Sequence, residues 1–369
     1  MKKYIYERED WPEFGFDKDS LQEELAQVYL AQGRLFGKIS AIGFDVRNEL
    51  LLNSVSDEIV TSSAIEGEHL DMHSVRSSVA RRLGVDLQNA DETVPDHYTD
   101  GIVEMALDAT KNYHKPITDD RLFGWHSSLF PTGRSGIHNI TVGAYRSTEV
   151  DIVSGPAGNE KVHYKALPGK QIPTEMVLFL KWLDEDSRMD PFIKTAVAHL
   201  RFESIHPFDD GNGRVGRCIA DLMLARAESS PKRFYSLSAQ LLKERKDYYN
   251  ELKKAQEMTG NICEWIAWFL SCLVRAIETS EVALDAVIQK AKLFMHWRNV
   301  PMNERQLLVV NLLFDGFEGK LTSSKWGKLC NCSHDTALRD IDDLIEKGIL
   351  VRSEAGGRST SYEIRSIVG

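Results

Sequence analysis

Between two apolar helical runs, Phe192–Ile205 and Val215–Leu224, the chain places His206-Pro207-Phe208-Asp209-Asp210-Gly211-Asn212-Gly213-Arg214-Val215-Gly216-Arg217. A loop this short, feeding straight into an apolar repeat of helical period, forces two helices into direct succession, with the second starting at the loop. Gly211 and Gly213 let backbone N–H groups converge, and the helix N-terminus adds partial positive charge. Together they read as a phosphate cradle. Arg214 and Arg217, three apart, occupy neighbouring positions on one helix face, and guanidinium groups suit phosphate oxygens. Asp210 supplies the hard oxygen that a magnesium ion bridging nucleotide phosphates takes. His206 is the one group in the segment able to take a proton near neutral pH.

The rest of the chain reads as mainly α. From Asp17 to about Leu87 apolar residues recur at helical spacing (Leu21, Leu25, Val28, Leu35, Ile39). After the polar stretch Gly84–Thr99, helical patterns resume at Gly101–Lys111 and Thr118–Leu129. Glycines and prolines cluster between Pro131 and Pro173, where Val150–Val153 and Lys161–Tyr164 flank the turn-rich Ser154–Asn159, the pattern of a β-hairpin. Helices are expected again at Thr174–Asp186, Pro191–Ser204, Arg214–Glu228, Ala239–Thr259 and Ile262–Val287. After Pro301 the pattern predicts three helices, from Arg305, over Thr322–Cys330 and over Ser333–Lys347. Two strands, Ile349–Ser353 and Ser361–Ile364, follow, which describes a winged helix.

The segment from His206 to Arg217 matches H-P-F-x-(D/E)-G-N-G-R-x-x-R at every defined position, and in this the chain resembles the Fic family. Gly143-x-Tyr145-Arg146 and Tyr248-Tyr249 are also similar to Fic proteins, so the likeness covers roughly residues 110–275. The resemblance implies a Fic-type helical core with a β-hairpin flap, and a protein adenylyltransferase moving AMP from ATP onto a Ser, Thr or Tyr hydroxyl of a target protein. It implies that His206 deprotonates that hydroxyl, Asp210 holds Mg2+, and Gly211, Asn212 and Gly213 bind the α- and β-phosphates. Arg217 would take the γ-phosphate and Arg214 would support the phosphate site. Tyr249 would line the nucleotide pocket and Gln256 would meet adenine. Phe208 would anchor the loop in the core, and Val150–Lys165 would be the flap that holds the target's backbone by strand addition. Upstream, Ser62-Ser63-Ala64-Ile65-Glu66-Gly67 resembles the Fic inhibitory motif, (S/T)-x-x-x-E-(G/N). The resemblance implies that Glu66 pairs with Arg217 and inhibits transfer, with Ser62 steadying the helix.

These readings divide the chain into a helical N-terminal segment (1–110, with the motif at 62–67), a Fic core (111–275), a connecting helix (276–300) and a winged helix (301–369). A UMP or phosphocholine donor, the reverse removal of AMP, and a DNA-binding regulator with a nucleotide-sensing core stay open as alternatives. Ser333–Asp340 resembles a recognition helix and Arg358 sits where a wing tip could meet phosphate. Yet residues 305–365 carry nine Lys/Arg against nine Asp/Glu, so DNA binding, partner docking and homo-oligomer formation all remain open for this module. The chain as a whole has 45 basic and 55 acidic residues, which disfavours sequence-independent nucleic-acid binding. His199 and His206, seven apart, are read as packing rather than a metal pair. Five cysteines without a paired framework suit a reducing compartment. No apolar run reaches the roughly 18 residues of a membrane span, and the N-terminus lacks a signal-peptide pattern, so a cytoplasmic protein without membrane contact is expected.

Overall fold

A computed structural model describes residues 3–85, 97–154, 161–185, 188–257, 259–314, 317, 319–353 and 360–365. The turn proposed at 155–159 and Arg358 lie outside these residues. The chain is mainly α and divides into two compact units, Met1–Glu281 and Val282–Gly369.

The first unit runs through α1 (Gln22–Ser40), α2 (Phe44–Ile65), α3 (Met72–Leu83), α4 (His97–Lys111) and α5 (Asp119–Leu129). Two short antiparallel pairs follow: β1 (Arg134–Ser135) with β2 (His138–Asn139), and β3 (Asp151–Ser154) with β4 (Lys161–Lys165). Then come α6 (Ile172–Asp184), α7 (Pro191–Ile205), α8 (Asn212–Ala227), α9 (Leu237–Lys243), α10 (Arg245–Ala255) and α11 (Ile262–His296), within which the division between units falls. Local chemistry explains the boundaries. The side chains of Asp71, Thr118, Asp190 and Ser236 accept first-turn N–H groups of α3, α5, α7 and α9. Pro191 occupies the first turn of α7, and Gly84 ends α3 in the left-handed region.

The core is built on α7 and α8. Every residue of α7 from Phe192 to Ile205 is buried, charged residues included, as is most of α8. A helix buried on all sides is a central one, and the others surround it. α2 is tied to the start of α9 by polar bonds: the Glu58 carboxylate accepts from the Ser236 hydroxyl (2.8 Å) and the Ser238 N–H (3.0 Å), and the Ser54 hydroxyl donates to the Arg233 carbonyl (3.0 Å).

Three elements differ from the sequence expectation. The single helix expected over Ala239–Thr259 is two, because the backbone breaks helical geometry at Glu244, whose carboxylate is gripped at 2.6 Å by both Nε and Nη2 of Arg275. The helix expected to stop at Val287 continues to His296. The β1/β2 pair, built on turns with positive φ at Gly133 and Gly136, has strands too short for periodicity to register.

The second unit contains α12 (Glu304–Phe314), α13 (Ser323–Leu329), α14 (His334–Glu346) and the antiparallel pair β5 (Leu350–Arg352) and β6 (Tyr362–Ile364). Its own core gathers Val309, Val310, Trp326, Ala337, Ile341, Leu344 and Leu350. Among described residues no helix is long and apolar enough to cross a membrane.

Candidate active site

His206 is the C-cap of α7 and adopts the left-handed region (φ 52, ψ 61), which a residue bearing a Cβ occupies only when its surroundings enforce it. Arg146 does so. Buried at 1% exposure, it donates Nε to the His206 carbonyl (2.8 Å) and Nη2 to that of Leu167 (2.7 Å), and its own N–H bonds the Pro207 carbonyl (2.9 Å). The next turn is closed by Asn212. Its side-chain oxygen accepts the Phe208 N–H (2.9 Å), and its amide donates to the Phe208 carbonyl (2.8 Å). Asn212 therefore holds the loop with its side chain, leaving only its backbone for an anion. Phe208 is fully buried, and the His126 ring stacks on it at 4.2 Å. Because the Gly143 N–H donates to His126 Nδ1, the opposite Nε2 carries the hydrogen and donates to the Asp210 carbonyl (3.1 Å).

α8 then starts at Asn212, with Gly211 preceding it at φ +80. Its first-turn N–H groups lack intrahelical acceptors and open on a cavity of about 680 Å³. Around it stand Glu66, Ile152 of β3, Tyr164, Glu203, His206, Asp209, Asp210, Gly211, Asn212, Gly213, Arg245, Tyr249, Lys253 and Gln256. Burial, with Arg146 beside it, pushes His206 down to about 4, so at neutral pH the imidazole is an uncharged proton acceptor. The Asp210 carboxylate accepts from the Ser135 hydroxyl and the Gly211 N–H. Among described residues no group of three or more His, Cys, Asp or Glu gathers as a metal cage. His199, fully buried, meets the Gly216 carbonyl (3.1 Å) and the Tyr248 hydroxyl (2.8 Å), which places it in the core.

α2 delivers the upstream motif to this loop. Arg217, 2% exposed, bonds the Ser62 hydroxyl through Nε (2.9 Å) and the Ser62 carbonyl through Nη2 (2.8 Å), and Nη2 pairs with the Glu66 carboxylate at 2.9 Å. That carboxylate rests on Gly213, where any Cβ would run into it. The Arg245 Nε anchors the end of α2 through the Ile65 carbonyl (2.8 Å), and the Tyr249 hydroxyl lies 3.5 Å from Glu66. Arg214 does not border the cavity. Its guanidinium pairs with Glu68 (2.7 Å), approaches the Tyr98 hydroxyl (3.2 Å) and lies 5.0 Å over the Phe130 ring. Gln256, 3% exposed, donates to the Glu203 carbonyl (3.2 Å).

Sequence reasoning missed Glu68, Tyr98, His126, Ser135 and Glu203. Only Glu68 carried a local signal, an acidic residue one glycine beyond Glu66. The others reach the site through packing of α4, α5, β1 and α7.

Residues 116–224 match the family model described as Fic/DOC family, and residues 4–85 one described as a domain of unknown function, DUF4172. The chain is 26% identical over 224 residues to Protein adenylyltransferase Fic of Nematostella vectensis, covering 60% of this chain and 47% of that protein. It is 27% identical over 222 residues to Protein adenylyltransferase Fic of Culex quinquefasciatus, covering 60% and 40%. The match thus spans less than half the length of these curated relatives. Among solved structures, a Fic family protein from Desulfovibrio desulfuricans G20 aligns with 96% of this chain and 98% of its own, at 20% identity and a TM-score of 0.55, a likeness of fold.

Proposed function

With residues 116–224 of this chain forming a Fic domain, we propose that it transfers AMP from ATP to a Ser, Thr or Tyr hydroxyl of a protein, and that Glu66 restrains the reaction. The observation that carries the reading is the pairing of Glu66 with Arg217 at the mouth of an anion-binding loop whose histidine is held neutral. In the reaction, Nε2 of His206 takes the hydroxyl proton as its oxygen forms a bond to the α-phosphorus, and the bond to pyrophosphate breaks. The N–H groups of the first turn of α8 stabilise the charge that develops on phosphate. β3, which pairs with β4 on one side, offers its outer edge to the target's backbone.

The Asp210 carboxylate, at the cavity beside the start of α8, fits magnesium, which takes one or two protein carboxylates and completes its shell with waters and phosphates. Asp210 would hold it, and the ion would neutralise charge on the phosphates.

Restraint follows from charge. Arg217, once paired with Glu66, is not free to hold the γ-phosphate, and a displacement of about 1 Å can cost on the order of a hundredfold in rate. Glu66→Gly is therefore expected to raise labelled-AMP incorporation roughly tenfold or more on that reasoning, and adding Arg217→Ala to cancel the gain. A folded Glu66→Gly protein no faster than the unaltered chain would sink the inhibitory role. His206→Ala in the Glu66→Gly background should abolish incorporation while ATP still binds. Residual transfer near the starting rate would move the base elsewhere.

For residues 301–369, the exposed positions of α14 carry Arg339 against Asp335, Asp342 and Glu346. Such a face repels phosphate, which favours protein contacts over DNA.

A further inference from the structure

Near the cavity, Nδ1 of His206 and Oε1 of Glu203 are each without a hydrogen bond, and the Glu203 oxygen that faces the ring is the other one, Oε2. Glu203 lies one turn before His206 on α7, is 5% exposed and borders the cavity, and its Oε2 is 3.9 Å from Nδ1. Burial pushes Glu203 up to about 8; Arg217 opposes the rise and Glu66 adds to it. A buried carboxyl left unpaired costs free energy that a purely structural side chain such as leucine would not. On its other side, Oε1 stands where any Cβ on Gly216 would strike it, so α8 leaves room for this group.

We propose that Glu203 is the positioning residue of the base: its carboxyl accepts the Nδ1 hydrogen of His206 and so keeps Nε2 free to take the proton of the target hydroxyl. The inference rests on the transfer reading above and deepens it. A gap of 3.9 Å closes by a small side-chain rotation or through one water, and catalytic hydrogen bonds are commonly loose until substrate binds. Either protonation state of the carboxyl supplies an acceptor oxygen, so the role holds across neutral pH. Neutral imidazole is otherwise shared between two tautomers, and a partner on one nitrogen decides which survives. The competing acceptor is the main-chain carbonyl of Glu203, which also faces the ring and favours its proton. That carbonyl is already engaged by Gln256 Nε2 at 3.2 Å. The charged groups around the ring are Arg146, which disfavours the imidazolium, and Glu66 and Asp210, which favour it. None of the three has a hydrogen bond to Nδ1.

The test compares Glu203→Gln, which keeps an acceptor oxygen, with Glu203→Leu, which does not, both in the full-length Glu66→Gly chain. The ring 15N shifts of His206, assigned by their loss in His206→Ala, report the tautomer without any need for turnover. Expected are the Nδ1–H form in the parent and in Glu203→Gln, and a mixed population in Glu203→Leu. The rate of AMP incorporation should fall about 10- to 100-fold in Glu203→Leu, at unchanged ATP affinity, and stay within about threefold of the parent in Glu203→Gln. Unchanged ring shifts in a folded Glu203→Leu protein would overturn the proposal and assign Nδ1 to the main-chain carbonyl. Identical behaviour of the two variants would also overturn it, since an acceptor is what separates them. If the parent incorporates no AMP, the transfer reading fails, while the ring shifts still decide the role of Glu203.

Discussion

At the scale of single residues, the site rests on a histidine held where imidazole is not at ease. His206 has a strained backbone, a buried ring and Arg146 beside it, and the last two work against a positive charge. For a base this is productive, because the uncharged form persists far below the ordinary histidine range near 6.5. Since its folded value lies near 4, AMP incorporation by the Glu66→Gly protein should stay level from pH 8 to about 5 and fall only below that. Removing Glu66 takes away a favourable charge and shifts the limb further down, not up. An acid limb centred near 6.5 would show a ring solvated like free imidazole. The same shift bears on stability. A histidine with a depressed folded value destabilises the fold once pH drops below its unfolded value, and His199, also pushed down to about 4 by burial, adds to the loss. Thermal midpoints should therefore decline as pH falls from 6.5 toward 4.

At the scale of elements, α2 brings two carboxylates to the arginines of α8: Glu66 pairs with Arg217, and Glu68, across the positive-φ Gly67, pairs with Arg214. Its grip depends on where the rest of the helix is moored. The Glu58 carboxylate holds the start of α9, two turns before Glu66. Glu58→Ala would leave the Ser238 N–H buried without an acceptor, at a cost of about 1–3 kcal/mol. It should lower the thermal midpoint and, by loosening α2, raise AMP incorporation by less than Glu66→Gly does. A lowered midpoint with unaltered incorporation would mean that the bonds to Arg217 alone seat the helix. The helix boundaries that sequence reading placed well, those of α5 and α7, have side-chain caps or a terminal proline. One boundary it missed, at Glu244, lies where the carboxylate is held by an arginine 31 residues away, and a window of local sequence contains no trace of that partner.

At the scale of the whole molecule, the residues of the candidate active site all lie in the unit Met1–Glu281, and the unit Val282–Gly369 has a separate apolar core. Ending the chain before Pro301 should leave incorporation into a simple acceptor within about threefold of the parent, as expected for a site whose residues all lie upstream. A folded but inactive truncation would assign the C-terminal residues a part in transfer. The amino-acid sequence by itself determined that a glycine-bearing loop joins two apolar helices, that α8 starts on it, and that His206, Asp210 and the two arginines lie within a few residues of one another. Those facts follow from short-range rules of helix period, capping and glycine backbone freedom, all contained in neighbouring residues. The pairing of Glu66 with Arg217 was implied by the resemblance of residues 62–67 to a known motif, whereas only the tertiary structure decided that Arg214 turns to Glu68, that Arg146 and His126 shape the loop, and that Glu203 faces the base. Those contacts range from Glu203 and His206, 3 positions apart, to pairs such as Glu68 and Arg214, 146 apart, and which of many carboxylates and cations meet is chosen by how α2, α4, α5 and α7 pack around α8, a matter of buried surface that no local pattern encodes.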